Sequence, residues 1–102
     1  VPPEKQADYV VAKAATNSLV RCIAKEYGPK GIRANIISPG MTTGGMSSAY
    51  SERAKLIAKM QTSVRQLAEI DDVVGMVNFL LSRESRHLTG QNLNLNGGTT
   101  ML

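Results

Sequence analysis

Tryptophan is missing from these 102 residues, and the aromatic side chains are Tyr9, Tyr27, Tyr50 and Phe79. Any core must therefore be built from Ile, Leu, Val and Met, within a hydrophobic share of 42% that is ordinary for a globular chain. Cys22 is the lone cysteine, which excludes an intrachain disulfide and a cysteine-based metal site, and no metal is expected. His87 is the lone histidine, in the polar run Arg83-Glu-Ser-Arg-His87; it reads as a solvated loop residue, which excludes an ordinary Ser-His-Asp triad. No apolar run approaches membrane-spanning length and no signal peptide is visible, so we expect no membrane association and a cytoplasmic protein. The net charge of +4 comes from dispersed Lys and Arg without a basic block or interleaved aromatics, which argues against nucleic acid. It suits an acidic partner or a phosphorylated cofactor, and solubility explains it equally well. No G-x-G-x-x-G or similar phosphate cradle occurs.

What is present alternates between helical and extended patterns. After a Pro-rich leading segment, residues 1–6, a helix is expected over residues 8–27 with Val11, Ala15, Leu19, Cys22 and Ile23 as its apolar face. Cys22 reads there as a buried, inert thiol. Gly28-Pro29 ends the helix, and the β-branched run 32–38, bounded by glycine and proline, reads as a buried strand. A helix feeding such a strand is half of a βαβ unit, and βαβ units imply a parallel sheet. Residues 41–48 read as a loop. A mostly polar helix over 49–61, with Leu56, Ile57 and Met60 as a thin stripe, fits a mobile flap and a peripheral surface helix equally. A strongly apolar helix is expected over 71–82, through Val73, Val74, Val77, Leu80 and Leu81. Asp71 and Asp72 at its start read as dipole-opposing caps rather than as a catalytic pair. Residues 91–96 alternate Asn92, Asn94 and Asn96 with Leu93 and Leu95, as a strand with two unlike faces does. No repeat or linker marks a second domain.

Tyr9 and Lys13 stand four residues apart on the first helix, hence on one face, a turn from each other. A cation beside a phenol favours the phenolate. At about 4 Å and an effective dielectric of about 20, that preference is roughly 4 kcal/mol. This suffices to poise a phenol for general acid/base work near neutral pH.

Tyr9-Val-Val-Ala-Lys13-Ala-Ala, then Tyr27-Gly-Pro-Lys-Gly-Ile-Arg-Ala-Asn35-Ile-Ile-Ser-Pro-Gly40, resembles the second half of the short-chain dehydrogenase/reductase family. Asp71-Asp72-Val73, Phe79-Leu-Leu-Ser82, Leu88-Thr-Gly-Gln91 and Asn96-Gly-Gly98 continue the resemblance in the family's order. It implies an α/β fold, the C-terminal part of a Rossmann-like doubly wound parallel sheet. Residues 1–102 would be a portion of one such domain, with the N-terminal nucleotide-binding half and the catalytic serine elsewhere. It further implies that Tyr9 gives a proton to a ketone oxygen or takes one from an alcohol. Lys13 would hold the nicotinamide ribose of NADPH or NADH, with Tyr9 also at the cofactor. Pro39, Gly40, Met41, Thr42 and Thr43 would line the nicotinamide end, the amides of Met41 and Thr42 facing the ring amide. Where many members have a threonine, this chain has Gly44, and Thr42 or Thr43 is the nearest substitute. The Arg65 segment and the Gly97-Gly98-Thr-Thr ending look most like 3-oxoacyl-carrier-protein reductases, in which a basic residue at the position of Lys30 helps receive the acidic carrier protein. A small-molecule or carrier-bound carbonyl substrate and a homodimer or homotetramer are thus expected. Sugar, steroid and polyol dehydrogenases share the motifs, and a non-catalytic oligomerisation piece is the reading from a different class.

Overall fold

The computed structural model describes residues 3–42 and 50–99, with side chains from residue 7 onward. Its elements are α1 (Pro3–Tyr27), a 3-10 turn (Gly28–Lys30), β1 (Ile36–Pro39), α2 (Glu52–Gln61), α3 (Ile70–Leu81), a second 3-10 turn (Arg83–Ser85) and β2 (Asn92–Leu95). The strands form a two-stranded sheet. Ile36 N–H donates to Gln91 O at 2.8 Å and Gly40 N–H to Leu95 O at 3.0 Å. Partner numbers rise together, so the pairing is parallel. The chain divides into two compact units, Val1–Ile36 with Arg86–Asn92, and Ile37–Ser85 with Leu93–Leu102.

In the first unit α1 begins at Pro3, within the segment expected to lead into it. Proline in a first helical turn loses only an amide that has no intrahelical partner, so it starts a helix as readily as it ends one. The helix packs through Lys13, Asn17, Val20, Ile23 and Ala24, spaced as one stripe. That stripe shares only Ile23 with the expected face: Val11 and Leu19 are 68% and 60% exposed, and Cys22 is exposed rather than buried. Small and apolar residues surround α1 on several sides, so periodicity alone does not select the buried one. Packing does: Ala24, 8% exposed, lies where a side chain at Gly90 would touch its Cβ at 3.4 Å.

Gly31, at φ 81°, closes the turn after α1 by donating to Gly28 O. The expected strand then starts four residues late, and Ile32 is half exposed. Side chains stand in for the ladder here. Ala34 N–H donates to Thr89 Oγ1 at 3.2 Å, while Asn35 donates from Nδ2 to Leu88 O at 3.0 Å and accepts from Gln91 N–H at 3.1 Å. Polar groups at residues 34 and 35 are satisfied without regular strand geometry.

In the second unit α2 is N-capped by Ser51, whose Oγ accepts from Ala54 N–H. At its other end Thr62, nearly buried, donates to Lys59 O at 2.8 Å and accepts from Gln66 N–H at 3.0 Å. α3 starts one residue early, after Glu69, whose N–H donates to Asp72 Oδ2 at 2.7 Å. The capping reading therefore holds for Asp72. α3 is half buried through Val73, Met76 and Leu80, whereas Val74, Val77 and Leu81, also expected inside, are exposed. Ser85, 1% exposed, ends the helix by donating to Leu80 O and Ser82 O. Among the described residues Ala24 is the one buried apolar side chain, so each unit has less core than its hydrophobic residues could supply.

Candidate functional site

The end of β1 is shaped by Pro39-Gly40. A side chain at Gly40 would place its Cβ 3.2 Å from both Cα and Cβ of Asn96, so glycine lets the two strand ends approach. Past β2 the backbone folds back through Gly97 and Gly98, at φ 62° and 83°. Asn96 Oδ1 accepts from Gly98 N–H, and Gly97 O accepts from Ser63 and Val64 N–H at 2.8 and 3.2 Å. The post-strand turn is thereby clamped to the segment that follows α2. The Asn96-Gly-Gly98 run carries this geometry: Gly97 is needed because a Cβ there would stand 3.0 Å from Val64 Cγ2.

Between these parts lies a cavity of about 380 Å³, with Ser38, Pro39, Gly40 and Met41 at the β1 end and Asn96 at the β2 end. It sits beyond the carboxyl ends of parallel strands, where open α/β sheets receive ligands. Its far wall includes Thr62, Gln66 and Leu67, which sequence reasoning missed. Their signal is tertiary, since a short irregular run after α2 reveals no partner until β2's turn is placed beside it. No Asp, Glu, Lys, Arg or His lines the cavity. Uncharged polar groups beside Met41 and Leu67 fit a neutral, flat ring amide and offer no counter-charge to a diphosphate.

Pro39, Gly40 and Met41 are therefore brought together. Thr42 pairs in parallel with Ala68 in an isolated bridge, which directs part of its backbone there rather than to a ligand. Thr43 and Gly44 lie outside the described residues. Tyr9 and Lys13 belong to the first unit, on α1: the Tyr9 side chain is 63% exposed, and Lys13 opens the half-buried stripe. The phenol is thus accessible to a ligand, and the lysine faces inward one turn away. Among the described residues no group of three or more His, Cys, Asp or Glu is placed for a metal ion, and no helix is long and apolar enough to cross a membrane.

Residues 2–100 match the family described as Enoyl-(Acyl carrier protein) reductase. The 3-oxoacyl-[acyl-carrier-protein] reductase FabG of Staphylococcus epidermidis is 33% identical over 96 residues, which are 94% of this chain and 39% of that protein. The chain thus spans about 39% of the length of this curated relative. Among solved structures, the 3-oxoacyl-[acyl-carrier protein] reductase of Brucella melitensis superposes with a TM-score of 0.85 at 28% identity, over 92% of this chain and 35% of that one. The 4-hydroxyisoleucine dehydrogenase complexed with NADH gives 0.79 at 32%, over 92% and 40%. Parallel pairing and these neighbours together identify the fold as α/β, the C-terminal part of a Rossmann-like sheet domain. The chain belongs to the short-chain dehydrogenase/reductase family of oxidoreductases.

Proposed function

We propose that the chain is the substrate-side portion of an NAD(P)-dependent oxidoreductase acting on a carbonyl or alcohol, with a 3-oxoacyl thioester as the favoured substrate. The supporting observation is the uncharged cavity at the strand ends, lined by Pro39, Gly40 and Met41, in a member of this family. NADPH or NADH, when bound, supplies the hydride. The chain's own residues do the rest. The cavity receives the neutral nicotinamide end, against Pro39, Gly40 and Met41. Lys13 bonds the ribose, one helical turn from the Tyr9 phenol. Tyr9 gives its proton to the carbonyl oxygen as that oxygen gains negative charge, and takes it back in the alcohol-oxidising direction.

The rest of the Rossmann domain, including the diphosphate cradle, is assigned to residues outside this sequence. The assembled enzyme is taken to be a homodimer or homotetramer in the cytoplasm. The test is hydride transfer by the protein that carries these residues, supplied in turn with NADH and NADPH. Reduction of a 3-oxoacyl thioester, with no reduction of an enoyl thioester, is the expected result. Turnover of the enoyl thioester alone would move the chemistry from C=O to C=C and remove Tyr9 from its role at a carbonyl oxygen. No hydride transfer with either, in a folded protein, would leave the non-catalytic oligomerisation reading in place.

A further inference from the structure

The strand-end cavity of about 380 Å³ has two neighbours in the second unit, one of about 450 Å³ beside the start of α3 and one of about 360 Å³ along α2. Gln66 and Leu67 line all three, so the cavities adjoin there. Charge differs around this junction. The strand-end cavity has no charged residue, and the one beside α3 has Glu69 and Asp72 without a cation. The one along α2 sets Glu52 and Glu69 against Lys55 and Lys59, with Lys55 and Glu52 paired at 3.5 Å.

Gln66 is held by its backbone and left open at its side chain. Its N–H donates to Thr62 Oγ1 at 3.0 Å, and the same hydroxyl donates to Lys59 O at 2.8 Å. Thr62 is 6% exposed, and its hydroxyl serves these two bonds. Gln66 itself is exposed, and among the described residues its side-chain amide has no hydrogen-bond partner. A primary amide offers two donors, an acceptor oxygen and no charge. It therefore matches a secondary amide, with one N–H and one C=O, better than it matches a hydrocarbon or an anion. Glu69 and Asp72 in the adjoining cavity work against a carboxylate or phosphate there, because like charges repel. Leu67 adds an apolar contact at the same place.

We propose that Gln66 is a specificity-determining residue, binding the secondary amide in the arm of a neutral thioester substrate, and that Thr62 is a positioning residue acting through it. The inference rests on the strand-end cavity being the ligand pocket of the oxidoreductase proposed above. The neutral ring takes the side of Pro39, Gly40 and Met41, and the thioester arm leaves past Gln66 on the far wall.

The test compares two 3-oxobutanoyl thioesters in the protein that carries these residues. The thioester of N-acetylcysteamine has one secondary amide in its arm, and that of ethanethiol has none. The wild type should favour the amide-bearing thioester about three- to ten-fold in kcat/KM, the usual size of one net hydrogen bond. Gln66→Leu should bring that ratio to about one by raising KM for the amide-bearing thioester, with kcat unchanged for both. Thr62→Val should lower the ratio, and should lower it no further once residue 66 is leucine. Gln61→Leu, at a residue of the strand-end cavity alone, should keep the ratio. The unreactive thioether S-butyl-N-acetylcysteamine gives a second readout. By saturation-transfer NMR it should bind the wild type and lose most of its affinity in Gln66→Leu. That dependence, without turnover of either thioester, would overturn the proposed reaction and keep the amide site. The inference fails if the wild type shows no preference, if Gln66→Leu lowers both thioesters alike, or if Gln61→Leu abolishes the preference. It fails equally if the thioether binds wild type and Gln66→Leu with one affinity, or if the mercaptoacetate thioester, with its carboxylate arm, outperforms both.

Discussion

The two compact units divide chemistry between charge and shape. The first carries the whole net charge, the phenol and ammonium of Tyr9 and Lys13, and a cavity lined by Arg33, Arg86 and His87. The second is neutral overall, and its strand-end cavity has no titratable side chain of these types in its lining. The proposed carbonyl reduction calls on both kinds of group. A neutral ring is held by an uncharged wall of matching shape, whereas the oxygen that gains charge needs a proton donor and a cation. Neither unit holds both sets of groups, so each should be sensitive to a different class of substitution.

The largest expected effect comes from asking whether these 102 residues suffice. A dinucleotide diphosphate is normally held by a helix N-terminus and a ring of backbone amides. Nothing in this sequence matches that cradle, and the uncharged cavity offers no substitute. The purified 102-residue chain should therefore show no turnover of any ketone and no micromolar affinity for NADH or NADPH by calorimetry. Its exposed Val74, Val77 and Leu81, with Val11 and Leu19 on α1, should make it self-associate at high concentration. A well-folded monomer with micromolar cofactor affinity would overturn the division just described.

Next comes Tyr9→Phe in the complete protein. It removes the proposed proton donor and keeps the ring, so turnover should fall by about 10²–10⁴ with cofactor affinity nearly unchanged. Near wild-type turnover would remove Tyr9 from the reaction. Lys13→Met should lower turnover and cofactor affinity together, since one ammonium serves both; unaltered affinity would separate Lys13 from the cofactor.

Gly40→Val acts through shape. An added Cβ meets Asn96 backbone at 3.2 Å, and crowding of that kind costs about 1–3 kcal/mol. Stability and cofactor affinity should both fall, while Gly28→Ala, where nothing lies within 4 Å of the new Cβ, should be neutral. Denaturant midpoints measure the first effect and calorimetry of the complete protein the second. A fully stable Gly40→Val would mean that the strand ends can separate freely.

The pattern of difficulty along the chain has the same origin. Helix ends were legible because their signals are local: Gly28-Pro29 stops α1, and Asp72 caps α3. The start of β1 was not legible, since Asn35 and Thr89 supply bonds that a ladder would otherwise make. Nor was the buried side of α1, where Lys13 and Asn17 share an inward stripe with Val20 and Ala24 while Val11 faces out. A polar residue on an inward stripe defies binary patterning and is a place to look for function. At the strand-end cavity Pro39, Gly40 and Met41 could be named from motif alone. Thr62 and Gln66 could not, because their position depends on a turn thirty-odd residues away.

The smallest effect sharpens the comparison from inside the neutral unit. Arg65 is at φ 57°, the one positive-φ residue other than glycine among those described. For an L-residue that conformation costs roughly 1–2 kcal/mol. Its guanidinium donates from Nη1 to Met60 O and to Thr62 O, capping the carbonyl end of α2. Arg65→Ala keeps the strain and loses the cap, so it should destabilise by about 1 kcal/mol, the usual net value of an exposed hydrogen bond. Arg65→Gly loses the same cap but sheds the strain, and should recover about 1 kcal/mol relative to the alanine variant. Urea midpoints of wild type, alanine and glycine variants separate the two contributions. Alanine equal to wild type would show that the cap contributes nothing, and glycine no better than alanine would show that the backbone there is unstrained. In either variant, changes in amide shifts should stay within residues 37–85 and 93–99, leaving Tyr9, Lys13 and the Arg86 loop undisturbed.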